Sequence, residues 1–158
     1  MSSPVEPEHV RRWGEQHGRS DFVVFTNGVF DLLHPGHLEV IRCARRAAGQ
    51  RGIVVVGANS DESTRRIKGI RRPIQNQDDR IHLLEAVRDV DLVFMFHEDD
   101  PQILISRIRP DVIVRGGDHG MFQTMPDGSS KEVLLTRRDP RWSTTQIIRD
   151  IVRSTPRG

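Results

Sequence analysis

The sequence has no tyrosine, one cysteine, two tryptophans and, against 22 arginines, only two lysines, Lys68 and Lys131. A lone cysteine, Cys43, excludes an internal disulfide and a multi-cysteine metal site. No apolar run is long enough to span a bilayer, which excludes a helical membrane protein. The amino-terminal MSSPVEPEHVRRW lacks the basic-then-apolar pattern of a signal peptide, so a cytoplasmic location is expected. The absence of tyrosine also explains an otherwise misleading number. The formal net charge is only +2, yet the pI is 9.3, because few groups lose protons between neutrality and pH 9. The high pI is therefore no nucleic-acid signature, and without a recognition motif or interleaved aromatics no nucleic-acid partner is expected. The preference for arginine fits either the planar fork that suits phosphate or genome composition, and composition does not choose between them.

What is present is a single-domain length, 158 residues, with a composition that is 35% hydrophobic and 29% charged, enough for a core without staples. Residues 7–18 read as a short amphipathic helix within an amino-terminal extension, 1–19, and 20–158 as one domain. Phe22-Val23-Val24-Phe25, Ile53-Val54-Val55-Val56, Leu92-Val93-Phe94-Met95, Asp111-Val112-Ile113-Val114 and Glu132-Val133-Leu134-Leu135 read as five strands. Helical patterns lie between them: one opening near Gly36 and carrying Leu38, Ile41, Ala44 and Ala48, then 61–66, 78–89 and 101–110. A last helix opens at Ser143, with Ile147, Ile148, Ile151 and Val152 as its inner face. Continuous apolar strands alternating with helices predict an α/β fold, a doubly wound parallel five-stranded sheet with helices on both faces. Ligands of such sheets sit beyond the carboxyl ends of the strands where strand order reverses. That directs attention to 26–37, 57–73, 96–100, 115–131 and 136–145.

Asn27-Gly28-Val29-Phe30-Asp31-Leu32-Leu33-His34-Pro35-Gly36-His37 joins the first strand to the first long helix. Two histidines three apart at a helix start share one face, beside backbone N–H groups that carry partial positive charge, which suits a phosphate chain. Taken alone, the pair reads first as a helix cap and a solvated neighbour. Zinc is the poorer reading, because helical zinc pairs sit four apart and neither a cysteine cluster nor an acidic third ligand accompanies these two. Glu98-Asp99-Asp100 reads as the acidic start of a helix rather than a metal site, so no protein-held metal is predicted.

The whole string G-x-F-D-x-x-H-x-G-H, with Ser143-Thr144-Thr145 opening the last helix, resembles the signatures of the cytidylyltransferase-like nucleotidyltransferases. Their fold is Rossmann-like, of the HxGH nucleotidyltransferase type. Asn59-Ser60-Asp61, Lys68-Gly69, Arg72-Pro73-Ile74, Asp79-Arg80 and Arg115-Gly116-Gly117-Asp118 are similar, more narrowly, to the adenylyltransferases that activate D-glycero-D-manno-heptose 1-phosphate. The resemblance covers residues 20–153. It implies that His34, His37 and Lys68 are catalytic, the histidines donating to the triphosphate and to charge developing at the α-phosphorus. It implies nucleotide binding by Thr26, Asn27, Gly28, Phe30, Gly36, Gly116, Gly117, Asp118, Ser143, Thr144 and Thr145. Arg72, Arg80, Arg138 and Arg141 are further phosphate-contact candidates, although Arg80 also suits a pairing with Asp79 or Glu85. Asp31 is expected to order the turn. The chain departs from the family's text at Pro140-Arg141-Trp142, where a glycine is usual, at Val29, and through the loop 119–131.

The reaction implied is attack of a sugar 1-phosphate on the α-phosphorus of ATP, with release of pyrophosphate. Mg²⁺ arrives on the triphosphate, held by phosphate oxygens and water. The partners are then ATP and a sugar 1-phosphate, with a homodimer neither required nor forbidden by the length. Alternatives are a cytidylyltransferase using glycerol 3-phosphate or a similar polyol phosphate, an FMN adenylyltransferase, and a nucleotide-binding module without turnover.

Overall fold

The computed structural model describes residues 7–116, 132–136, 139 and 141–155. The element order is α1 (Pro7–Gln16), β1 (Val23–Gly28), α2 (Pro35–Ala48), β2 (Ile53–Asn59), α3 (Asp61–Lys68) and α4 (Gln77–Glu85). There follow β3 (Leu92–Phe96), α5 (Gln102–Ile108), β4 (Val112–Gly116), β5 (Glu132–Thr136) and α6 (Thr144–Ser154). Five strands form one sheet in the order β3-β2-β1-β4-β5, and every neighbouring pair is parallel. Strand order therefore reverses between β1 and β4, where a doubly wound sheet opens its ligand crevice.

Strand alternation builds two cores. Val23, Phe25, Ile53, Val55 and Ile113 turn to one face, where Leu104, Ile105 and Ile108 of α5 and Val10 of α1 cover them. Val24, Val54, Val112 and Val114 turn to the other, packed against Ala44 and Ala48 of α2, while Ile41 and Leu84 close over Val56 and Ala58. Of the tetrads read as two-sided strands, Ile53–Val56 in β2 is buried throughout and Val23–Phe25 in β1 likewise, but Phe22 precedes β1 and is exposed, and β3, at the sheet's edge, is half-buried over Leu92–Met95.

Helix ends follow local chemistry. Ser60, Asn76 and Ser143 each cap a helix by accepting a backbone N–H with their side-chain oxygen, at α3, α4 and α6. α3 begins with Asp61 and Glu62 and ends with Arg65, Arg66 and Lys68, an order that complements its dipole. Two expectations need correction. α4 stops at Glu85 rather than continuing to 89, because Val87 and Val90 follow in turns. The supposed inner face of α6 is not a buried stripe. Ile147 and Ile148 are half-buried, but Ile151 and Val152 are 56% and 69% exposed, and no residue of the helix is fully buried.

Candidate active site

An open cavity of about 520 Å³ lies at the carboxyl edge of the sheet, at the β1/β4 switch point. Its walls are the β1–α2 turn, the amino ends of α2 and α6, the end of α3, and the ends of β4 and β5. Of the residues singled out above, Phe30, His34, Gly36, His37, Lys68, Arg72, Gly116, Ser143, Thr144 and Thr145 line it.

The histidines come together because the chain caps α2 with one and carries the other on its first turn. His34 is the N-cap residue, Pro35 opens the helix, and the His34 Nδ1 accepts the Gly36 N–H at 3.1 Å. Accepting at Nδ1 assigns the ring proton to Nε2, so His34 keeps a donor for a ligand. The His34 and His37 rings stack at 3.7 Å and 20°, and Phe30 packs against His37 at 5.3 Å. Gly36 permits this closeness: a Cβ there would stand 2.9 Å from His34 Cε1 and 3.1 Å from the Trp142 Cβ. Burial, reinforced by the adjoining His34, holds the His37 imidazole down at about 3, while Asp31 pulls it up less strongly. Burial also lowers His34, against a backbone hydrogen bond that raises it. Both rings are therefore neutral donors near pH 7. His37 Nδ1 is buried without a hydrogen-bond partner, leaving Nε2 as the nitrogen available to the cavity.

Permanent positive charge comes from Lys68, which has no side-chain partner among the described residues, and from Arg72. Arg72, which lines the cavity, donates through Nε to Asp31 at 2.7 Å and makes no other side-chain hydrogen bond among the described residues, which leaves its terminal nitrogens for a ligand. Asp31 is buried and fully engaged: its carboxylate accepts from Arg72, from the Ile74 N–H at 2.9 Å and from the Gln75 N–H at 3.0 Å. At the other wall, Ser143 Oγ accepts the Gln146 N–H at 3.0 Å and retains its own proton to donate. Thr145 is exposed at the same helix end, and Thr144 donates to the Asp31 carbonyl at 2.6 Å.

The other singled-out residues are placed elsewhere. Thr26 is fully buried in β1 with its hydroxyl unpartnered, and Asn27 and Gly28 do not line the cavity. Arg80 is corrected outright: its side chain is fully buried, donating to the carbonyls of Val29 and Gln75 and to Asp61, so it cannot meet a phosphate. Its carboxylate partner is Asp61, not Asp79 or Glu85. Arg141 is exposed and engaged with Asp139, whose carboxyl it holds down at about 2 through side-chain and backbone hydrogen bonds. Gly117, Asp118 and Arg138 lie outside the described residues, as does the loop 119–131.

Several lining residues were not singled out: Val29, Asp31 as a wall rather than a turn residue, Val40, Thr136, Asp139 and Trp142. Alongside Val29, it was Trp142 that carried a sequence signal as a departure from the family's text. It is 39% exposed, with the Arg141 guanidinium 5.8 Å from its ring centre. Asp139 and Thr136 reach the cavity only through the path of β5.

Two helix amino ends, two neutral imidazoles and two cations around one cavity make an anion site, suited to a chain of phosphates. The profile of the family described as Cytidylyltransferase-like matches residues 25–150, which includes this site. The chain belongs to the cytidylyltransferase-like family. By class it is a nucleotidyltransferase. Among this cytidylyltransferase-like chain's relatives is the bifunctional protein HldE of Nitrobacter winogradskyi, 42% identical over 146 residues. That match covers 90% of this chain and 29% of the relative. The bifunctional protein HldE of Rhodopseudomonas palustris is 46% identical over 130 residues, covering 80% of this chain and 26% of its own length. The chain thus spans between a quarter and a third of these relatives. The crystal structure of the lipopolysaccharide core biosynthesis protein from Thermoplasma volcanium superposes with a TM-score of 0.60 at 26% identity, covering 75% of this chain and 98% of that one. Among the described residues, no group of three or more His, Cys, Asp or Glu is placed to hold a metal ion, and no helix is long and apolar enough to cross a membrane.

Proposed function

We propose that the chain transfers AMP from ATP to a sugar 1-phosphate, D-glycero-D-manno-heptose 1-phosphate, and releases pyrophosphate. The observation that carries this reading is the convergence of His34, His37, Lys68 and Arg72 with the amino ends of α2 and α6 on one cavity. A phosphate monoester is already a competent nucleophile near neutral pH, so the site needs no strong base. An acceptor phosphate oxygen attacks the α-phosphorus in line. The new P–O bond forms as the bond to the bridging oxygen of the β-phosphate breaks, and pyrophosphate carries the electrons away. His34 and His37 donate neutral N–H groups to the transferring phosphoryl oxygens, and Lys68 and Arg72 offset charge that spreads as the leaving group departs. Ser143 and Thr145, with the free N–H groups of α6, receive the β- and γ-phosphates. Mg²⁺ enters as part of the substrate, on the triphosphate's own oxygens.

The acceptor is supported by the heptose-enzyme strings at Asn59–Asp61, Lys68-Gly69, Arg72–Ile74 and Arg115–Asp118, and by the lipopolysaccharide-core role of the structural neighbour. Pyrophosphate release measured across a matrix of ATP and CTP against heptose 1-phosphate, glycerol 3-phosphate and FMN tests it. The reading expects one productive combination, ATP with the heptose phosphate. Turnover with CTP and a polyol phosphate would reassign the substrates, and nucleotide binding with no release from any pair would make the chain a binding module.

A further inference from the structure

The turn that presents the histidines is held in a conformation its residues do not favour. Phe30 and Leu32 both have positive φ, 53° and 52°, in the left-handed region that suits glycine. Such a backbone persists only where its surroundings over-determine it. Here two alternate peptide groups of the turn, Val29–Phe30 and Asp31–Leu32, are held by side chains from other elements, the second at both its C=O and its N–H. Arg80 donates to the Val29 carbonyl, Thr144 donates to the Asp31 carbonyl at 2.6 Å, and the Gln75 side-chain oxygen accepts the Leu32 N–H at 3.1 Å. The Asp31 carboxylate in turn accepts the Gln75 N–H, which fixes the segment from which Gln75 reaches back. Phe30, at the first left-handed position, is the ring on which His37 rests, and His34 follows the second by two residues.

We propose that Thr144 and Gln75 are positioning residues whose side chains clasp the Phe30–Leu32 turn, one from α6 and one from the segment before α4, and thereby set the His34–His37 pair. Gln75 does not line the cavity. The Thr144 hydroxyl lines it but directs its proton to the Asp31 carbonyl, so its main work is to couple the phosphate-receiving end of α6 to the histidine turn. The clasp rests on the nucleotidyl-transfer reading for its consequence, but not for its geometry.

The test uses the full chain carrying Thr144→Val, which keeps shape and loses the donor, Gln75→Leu, which loses the acceptor, and Gln75→Glu, which keeps an acceptor for the Leu32 N–H. Two quantities are read: the ring ¹H–¹⁵N signals of His34 and His37 without ligand, assigned through the His34→Gln and His37→Gln spectra, and the kcat and KM of pyrophosphate release. Thr144→Val and Gln75→Leu should each move both ring signals in the ligand-free protein. They should lower kcat by about 10- to 100-fold with KM for the triphosphate within about twofold, as expected when reacting groups are misplaced rather than binding lost. Gln75→Glu should return both readouts toward the wild-type values. Unmoved ring signals in both variants would overturn the clasp, as would a Thr144→Val protein changed only in KM, which would make that hydroxyl a phosphate ligand. If the wild-type protein turned nothing over while the ring signals moved as expected, the clasp would stand and the transfer reading would fall.

Discussion

Replacing Arg80 with methionine removes a buried guanidinium while keeping most of its volume. The side chain is fully buried and donates to Asp61 at 2.8 Å, to the Gln75 carbonyl at 3.1 Å and to the Val29 carbonyl. The substitution strands a carboxylate and two carbonyls in one step. Breaking a buried ion pair by removing one partner costs about 3–5 kcal/mol. The Asp61 side chain is 20% exposed and can recover some hydration, which points to the lower end, about 3 kcal/mol. Against a total stability of roughly 5–15 kcal/mol this is a large share. For a chain of this size it lowers Tm by roughly 6–12 °C, at about 2–4 °C per kcal/mol. Thermal and urea unfolding of Arg80→Met read the loss, with the KM for triphosphate measured well below the new Tm. A protein with wild-type Tm and urea midpoint but a raised triphosphate KM would refute the structural role and return Arg80 to the phosphates.

His37→Ala should lower turnover about 10²- to 10³-fold with the fold intact, the usual cost of removing a transition-state donor, as followed by pyrophosphate release and circular dichroism. Lys68, exposed and without a side-chain partner among the described residues, should when changed to alanine lower turnover at unchanged Tm; a stability loss alone would mean it has a packing role instead. The His37 imidazole, near 3 in the folded protein against about 6.5 unfolded, binds a proton more readily unfolded. Its contribution to stability is thus complete above about pH 6.5 and is lost as pH falls toward 3, so urea midpoints should decline across that window in the wild type and less steeply in His37→Gln. Gly36→Ala places a methyl 2.9 Å from the His34 ring and 3.1 Å from Trp142. Turnover should fall more than Tm, with a shift in tryptophan emission; unchanged activity would mean that the ring pair tolerates displacement.

Much of the architecture was legible because burial leaves a local mark. The tetrads at 53–56 and 22–25 carry no polar residue, as strands covered on both faces must, and they form the sheet's middle. The histidine pair was legible because capping chemistry is local: a side chain that caps α2 and another on its first turn are three residues apart wherever the helix packs. The end of α6 misled, because an apolar stripe at helical spacing records what a helix can bury, not what the fold brings against it, and Ile151 and Val152 are left exposed.

The sequence by itself determined the strand-helix alternation, the edge of the sheet where a ligand belongs and the pair of imidazoles waiting there. Each follows from interactions between residues a few positions apart. Tertiary structure alone decided which charges are free. Arg72 in its loop and Arg80 at a helix start look alike as phosphate-contact candidates, yet Arg80 is sealed against Asp61 and two carbonyls while Arg72 lines the cavity and, among the described residues, gives only its Nε to the protein. It also decided that Thr144 reaches the Asp31 carbonyl across 113 residues. A guanidinium or hydroxyl has one set of hydrogen bonds to give, and only the path of the chain determines whether protein or ligand receives them.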